Sequence, residues 1–250
     1  MQKKNILIVG GTSVIAEHCV RIWLSQQPCD LILVGRNNYK LQRVAKDLIC
    51  RWPQTNIQLQ VMDFLDANVI QSYIQTLTQD FAIDIALIAH GSLPLQEECQ
   101  LDIVDCKHSL EINGISPVLF AEAIIQSMIK NNHGKLGIIG SVAGDRGRGS
   151  NYIYGASKSL IDTYAQGLQH RLALRKSAVT VTLIKPGPTA TPMTKDLVIK
   201  GKLADPKHVA KNIIKAISNS RKLIYTPSKW LLIMLIIKNL PSVIFNKMDI

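Results

Sequence analysis

The sharpest chemical pattern in the chain is Tyr154-Gly155-Ala156-Ser157-Lys158. A Tyr and a Lys four apart share one face of a helix, with about 5–6 Å between Cβ atoms. A lysine cation beside a phenol favours the phenolate and lowers its pKa from about 10. Such a tyrosine exchanges a proton with a carbonyl or alcohol oxygen near neutral pH. Ser141 lies thirteen residues earlier, in Gly140-Ser141-Val142-Ala143-Gly144. A hydroxyl there can polarise the same oxygen. A Tyr–Lys pair alone is common on helix surfaces; the serine at a strand end ahead of it makes the reading specific.

A second candidate site opens the chain. An apolar run leads into Gly10-Gly11-Thr12-Ser13-Val14-Ile15-Ala16, where a helical pattern begins. A glycine at such a turn lets the backbone approach a pyrophosphate, and a helix N-terminus offers it free N–H groups. Thr12 and Ser13 add hydroxyl donors. The stretch is equally readable as a tight turn with Ser13 as helix cap. The second apolar run ends at Val34-Gly35-Arg36-Asn37, with no acid. A carboxylate there would accept from ribose hydroxyls, whereas Arg36 favours a 2′-phosphate, so NADP(H) is expected over NAD(H). Asp63, beside Phe64, is placed to hold an adenine edge or to cap the next helix.

These residues need a frame. Candidate strands are Asn5–Val9, Leu31–Val34, Ile57–Val61, Ile85–Ala89, Lys135–Gly140, Val179–Ile184 and a last one at Leu223–Tyr225. Helical patterns include Ala16–Gln26, Tyr39–Cys50, Ile103–Lys130 and Tyr154–Arg175. Short, continuously apolar strands alternating with helices predict an α/β fold: a single Rossmann-type, doubly wound parallel sheet with helices on both faces. Residues 1–225 are expected to form that domain with the catalytic site and substrate loop. Residues 226–250 are expected to form an apolar, basic helical tail.

Composition narrows the function classes. The chain has 250 residues, 47% hydrophobic and 19% charged, which excludes a disordered protein. The net charge is +11, and residues 195–250 hold +8 of it, from 11 Lys/Arg against 3 Asp/Glu. A uniformly basic nucleic-acid surface is therefore disfavoured, as is an aromatic-interleaved one at 5% aromatic residues. Five cysteines without a CxxC pair argue against a disulfide framework or a metal site and for a reducing compartment. The start lacks the pattern of a signal peptide. The longest apolar run, Trp230–Ile237, is far short of the roughly 20 residues that span a bilayer. A cytoplasmic protein is expected, either free or attached to the inner membrane face by its C-terminus.

Taken together, these residues resemble the short-chain dehydrogenase/reductase family over nearly the full chain. The resemblance implies that a nicotinamide cofactor delivers hydride while a Ser–Tyr–Lys set handles the proton. Tyr154 is then the general acid/base, Lys158 lowers its pKa and binds the nicotinamide ribose, and Ser141 orients the carbonyl. Asn113, in Glu111-Ile112-Asn113-Gly114, matches the family's fourth catalytic member, which supports a proton-relay water. Gly10, Thr12, Ser13, Ile15, Arg36, Asp63, Phe64, Ala89 and Gly91 fall at cofactor positions. So do Pro186, Gly187, Thr189 and Thr191 of the PGxxxT-like segment, which meets the nicotinamide carboxamide. Two motifs depart from the family. Val14 and Ala16 replace the second and third glycines of TGxxxGxG, and Ile88-Ala89-His90-Gly91 replaces NNAG. His90 then either takes part of the lost asparagine's role or is a satisfied loop histidine.

A narrower resemblance concerns substrate. Asp145-Arg146-Gly147-Arg148-Gly149-Ser150-Asn151-Tyr152-Ile153-Tyr154-Gly155 is similar to the active-site loop of the decaprenylphosphoryl-2-keto-pentose reductases. The segments Ile224–Pro227 and Leu240–Lys247 resemble their tail. The implied substrate is a keto-sugar on a polyprenyl phosphate, with Arg146 and Arg148 pairing with phosphate. Lys195, Lys200 and Lys202 fall where the family has its substrate lid. Trp230–Ile237 between Lys229 and Lys238 suits an interfacial helix, or one packed on its own domain. Two other readings stay open: a reductase of another apolar ketone, such as a 3-oxoacyl chain or a steroid-like molecule, and a non-catalytic dinucleotide-binding scaffold. A homodimer or homotetramer through Ile103–Lys130 and Tyr154–Arg175 is expected from the family resemblance.

Overall fold

The computed structural model describes residues 3–195 and 201–248. Seven strands form one sheet: β1 Lys4–Val9, β2 Cys29–Gly35, β3 Ile57–Val61, β4 Ile85–Ile88, β5 Lys135–Ile139, β6 Thr180–Pro186 and β7 Leu223–Thr226. Their order is β3-β2-β1-β4-β5-β6-β7, and every neighbouring pair is parallel. The helices are α1 Val14–Gln26, α2 Asn38–Arg51, α3 Ala67–Asp80, α4 Gln96–Leu101, α5 Ile103–Leu110, α6 Ser116–Lys130, α7 Tyr152–Leu174, α8 Pro206–Ser218, α9 Lys229–Asn239 and α10 Ser242–Phe245. This is the doubly wound, Rossmann-type architecture that the alternation predicts.

Strand alternation builds a core on each face of the sheet. On β1, Ile6 and Ile8 point into a layer with α1, α2 and α8, through Val20, Trp23, Leu41, Ile213 and Ile217. Leu7 and Val9 point the other way, against α3, α6 and α7, through Ile70, Phe120, Ile124, Ile161 and Leu168. Two-sided burial explains why the strands read as continuous apolar runs. The strand order reverses between β1 and β4, so a crevice opens beyond the C-terminal ends of these strands.

Several element ends differ from the sequence expectation. Helix α1 begins at Val14, because Ser13 caps it by accepting from the Ala16 N–H. Ala89 and Gly140 lie just past β4 and β5. Helix α7 starts two residues before Tyr154. Ile103–Lys130 is one continuous helical stretch but not a uniform one: α5 passes into α6 through a π turn at Glu111–Ile115. Pro117 has no N–H to return to the Asn113 carbonyl, and the ladder widens just ahead of it.

Candidate active site

The parallel sheet gathers the predicted residues at one edge. Ser141 follows β5 with an extended backbone, and its Oγ accepts from the Ala143 N–H at 3.1 Å. The Ser141 hydroxyl is near enough to Tyr154 to work against a rise in the phenol's pKa. Lys158, one turn along α7, is buried; its Nζ donates to the Ile139 carbonyl at 3.5 Å and lies 5.5 Å from the Tyr154 ring centroid. A Cβ on Gly144 would sit 2.8 Å from the Lys158 carbonyl carbon, so only glycine lets the catalytic loop pack this tightly on α7.

Burial dominates the electrostatics of Tyr154 and Lys158. Burial pushes Tyr154 up to about 12, against the opposing effect of the Ser141 hydroxyl. Burial also pulls Lys158 down to about 8, against the opposing charge of Asp162. Desolvation is the larger effect on each group, and the phenol keeps its proton at neutral pH.

Asn113 sits in the π turn, fully buried. Its Oδ1 accepts from the Ser92 N–H at 2.8 Å, and its Nδ2 donates to the Ser109 carbonyl at 3.0 Å. The side chain thus fixes the loop that follows β4. In that loop, His90 pairs through Nε2 with Ser116 Oγ at 2.9 Å and stands edge-on to Phe64 and Phe120. Burial, then the charges of Lys158 and Arg36, pull its pKa down to about 3. His90 is a neutral member of an aromatic cluster, not a titrating group.

The residues assigned to a dinucleotide fall into three sets. Gly10 has φ +91°, and a Cβ there would meet the His90 nitrogen at 2.6 Å. Thr12, Ser13 and Ile15 follow at the start of α1, half-exposed, while Arg36 is exposed beyond β2. Ala89 and Gly91 border the same crevice; a Cβ on Gly91 would lie 2.8 Å from Asn113 Oδ1 and 3.7 Å from Lys158 Nζ. This cradle of bare backbone, helix N-terminus and cation fits a dinucleotide phosphate. One alternative, Asp63 as a helix cap, is corrected, and the Phe64 ring is accounted for by packing. Asp63 does not cap the next helix: its Oδ1 accepts from the Leu65 N–H at 2.9 Å, and Asp66 caps α3. Phe64 turns its ring into the core, so it has no side-chain face for a ligand.

Pro186 closes β6, and the Gly187 N–H donates to the Thr226 carbonyl at 3.0 Å. Thr189 Oγ1 donates to the Gly187 carbonyl at 2.8 Å, and Thr191 forms a reciprocal cap with Thr194. Sequence reasoning did not foresee the neighbour of this loop. A Cβ on Gly187 would lie 1.9 Å from Trp230 Nε1, so the indole of α9 is pressed against bare backbone.

The arginines of the catalytic loop diverge. Arg146 is not free to face the crevice: its Nη1 donates to the carbonyls of Ile237 and Leu240, each at 2.6 Å, and its guanidinium lies over the Phe245 ring at 3.7 Å. Arg148 is half-buried with its Nε unpaired, and burial lowers its pKa despite the nearby Asp145. Lys195 and Lys202 are exposed, and Lys200 lies outside the described residues. Behind the site is a network that no motif announced. Lys185, in β6, forms short ion pairs with both Asp145 and Asp162, and the Tyr225 hydroxyl donates to Asp145 at 3.0 Å.

Comparison with known proteins agrees with this geometry. The family described as short chain dehydrogenase matches residues 4–201. An uncharacterized oxidoreductase of Staphylococcus aureus is 26% identical over 220 residues, covering 87% of this chain and 92% of that protein. Among solved structures, a short-chain dehydrogenase from Streptomyces avermitilis superposes with TM-score 0.79 at 16% identity, covering 94% of this chain and 92% of that one. An actinorhodin polyketide ketoreductase with NADPH gives TM-score 0.77 at 17% identity, covering 89% and 95%. The chain belongs to the short-chain dehydrogenase family and is an NAD(P)-dependent oxidoreductase.

Proposed function

We propose that the chain reduces a ketone to a secondary alcohol with NADP(H), and that the ketone is a keto-sugar carried on a polyprenyl phosphate. The observation that carries the reading is the gathering of Ser141, Tyr154 and Lys158 beyond the end of β5, with the Lys158 Nζ 5.5 Å from the Tyr154 ring centroid. A phenol that keeps its proton is prepared to give it to an oxygen gaining charge. Ser141 Oγ and Tyr154 Oη together hold the substrate oxygen, and Tyr154 donates the proton as the carbonyl becomes an alcohol. A bound nicotinamide would supply the hydride. The Lys158 ammonium, buried next to the phenol, stabilises the phenolate left behind. Asn113 keeps the loop at Gly91 in place through Ser92, and a relay water beside it is part of this reading.

Arg36, exposed at the end of β2, supports NADP(H) because a guanidinium pairs with the 2′-phosphate. NAD(H) remains the weaker partner in this reading. For the substrate phosphate, Arg148 is the remaining loop cation, since Arg146 holds the tail. That engagement of Arg146 favours, on this point, a second reading: another apolar ketone such as a 3-oxoacyl chain. The protein is proposed to act at the cytoplasmic face of a membrane, as a homodimer or homotetramer paired through α5–α6 and α7.

The test is NADPH oxidation with a polyprenyl-phosphate 2-keto-pentose beside a panel of simple ketones. Turnover confined to the lipid-linked keto-sugar supports the proposal. Turnover confined to the simple ketones keeps the reductase chemistry and removes the sugar lipid.

A further inference from the structure

The tail presents an apolar surface on a helix whose other side is already used. Helix α9 packs inward through Trp230 and Met234, of which Met234 is buried. Its outer side holds Leu231, Leu232, Leu235 and Ile236, with Leu232 63% exposed, and α10 adds Val243 at 75%. A helix that is apolar on both sides needs cover on both, and exposed contiguous apolar surface marks an interaction site.

Charge points to what provides that cover. Residues 226–248 hold three lysines, Lys229, Lys238 and Lys247, and no Asp or Glu. Lys229 begins α9, and Lys238 is next to its last residue. An antiparallel pairing of two copies along α9 would set Lys229 of one beside Lys238 of the other. A parallel pairing would set each lysine beside its counterpart. Either register brings cation to cation and supplies no counter-charge, whereas an anionic lipid surface supplies both an apolar layer and the counter-charges.

The face is also joined to the catalytic loop. Arg146 binds the carbonyls at the C-terminal end of α9, and Trp230 at its start lies on Gly187. On another flank of the loop, Ile153 N–H donates to Gln96 and Tyr152 pairs with Gln100, which ties in the segment bearing exposed Leu101, Ile103 and Val104.

We propose that the outer face of α9 and α10 docks on anionic membrane and seats the catalytic loop at the lipid surface. This inference rests on the tail's own residues and does not require the keto-sugar reading. The experiment is flotation of the full chain with vesicles of phosphatidylcholine, alone or mixed with phosphatidylglycerol. The expected result is binding to the mixed vesicles, at least about tenfold above phosphatidylcholine alone, with about fivefold lost for each of Lys229→Gln, Lys238→Gln and Lys247→Gln. Leu232→Ser with Leu235→Ser should abolish the binding. Failure to float with either vesicle, equal binding to both, or lysine variants that bind like the parent would overturn the proposal. So would a parent dimer that the paired Leu→Ser variant turns into monomer, because a second copy would then be the cover. Each result is read from binding alone, so failure of the substrate assay leaves it unaffected.

Discussion

Lys185→Met should be the most damaging single change away from the reacting atoms. The Lys185 side chain is 5% exposed, Asp145 1% and Asp162 8%. Methionine fills much of the same space but leaves two buried carboxylates without their shared cation. Asp145 keeps the Tyr225 hydroxyl, while Asp162 Oδ1 already has no partner. Breaking a buried ion pair from one side costs about 3–5 kcal/mol, a large part of the roughly 5–15 kcal/mol that holds a domain folded. The loss should depend on pH. Burial already raises the Asp162 carboxyl to about 6, against the opposing pull of Lys185. Removing the ammonium raises it further. A carboxyl raised in the folded state binds more protons folded than unfolded, so stability falls as pH rises through the folded value. The deficit in the variant should therefore be smaller at about pH 5 than at about pH 8. Urea unfolding at both values, followed by tryptophan fluorescence, measures it. A deficit under about 1 kcal/mol, or one that is the same at both pH values, would refute the reasoning. Adding Asp145→Asn and Asp162→Asn to Lys185→Met should recover most of the stability, because neither buried carboxylate is then left without its cation.

Three further outcomes follow from the site. Tyr154→Phe should lower NADPH-dependent ketone reduction by about 10²–10⁴-fold while leaving NADPH binding, read by its fluorescence, unchanged; retained turnover would remove Tyr154 as proton donor. Arg36→Asp should weaken NADPH binding by about 10–100-fold, the loss of a hydrogen-bonded charge, with a much smaller effect on NADH; equal losses would mean that Arg36 does not read the 2′-phosphate. Gly187→Ala should destabilise the chain by about 1–3 kcal/mol in urea unfolding, because its Cβ collides with the Trp230 indole. Trp230→Ala in the same chain should relieve that cost, and a cost that persists in the double variant would show that the indole is not what Gly187 accommodates.

What the sequence disclosed was local, and what it concealed was long-range. The pairing of Tyr154 with Lys158 needs only helical periodicity, and the strands needed only apolar runs between turn residues. Ser13 as a cap and Ser141 at a strand end are likewise properties of a few adjacent positions. The π turn around Asn113 was hidden, because Pro117 marks a disturbed ladder but does not say which way the ladder opens. Lys185 was hidden for a different reason: a lysine in the run Thr180–Pro186 breaks an apolar pattern, but its partner Asp145 is 40 residues away in a loop. That break is a signal in the sequence for a buried counter-charge. The reading of Arg146 failed by competition. An arginine beside a catalytic tyrosine suggests an anion, yet the carbonyls at the end of α9, 91 and 94 residues on, offer the guanidinium acceptors within the chain itself. A helix C-terminus carries partial negative charge and unpaired carbonyls, so it satisfies a cation as an anion would. Loop and tail are thereby one unit: the residue that looked like a substrate ligand holds the tail beside the site, and of the two loop arginines only Arg148 keeps a buried nitrogen, Nε, without a partner.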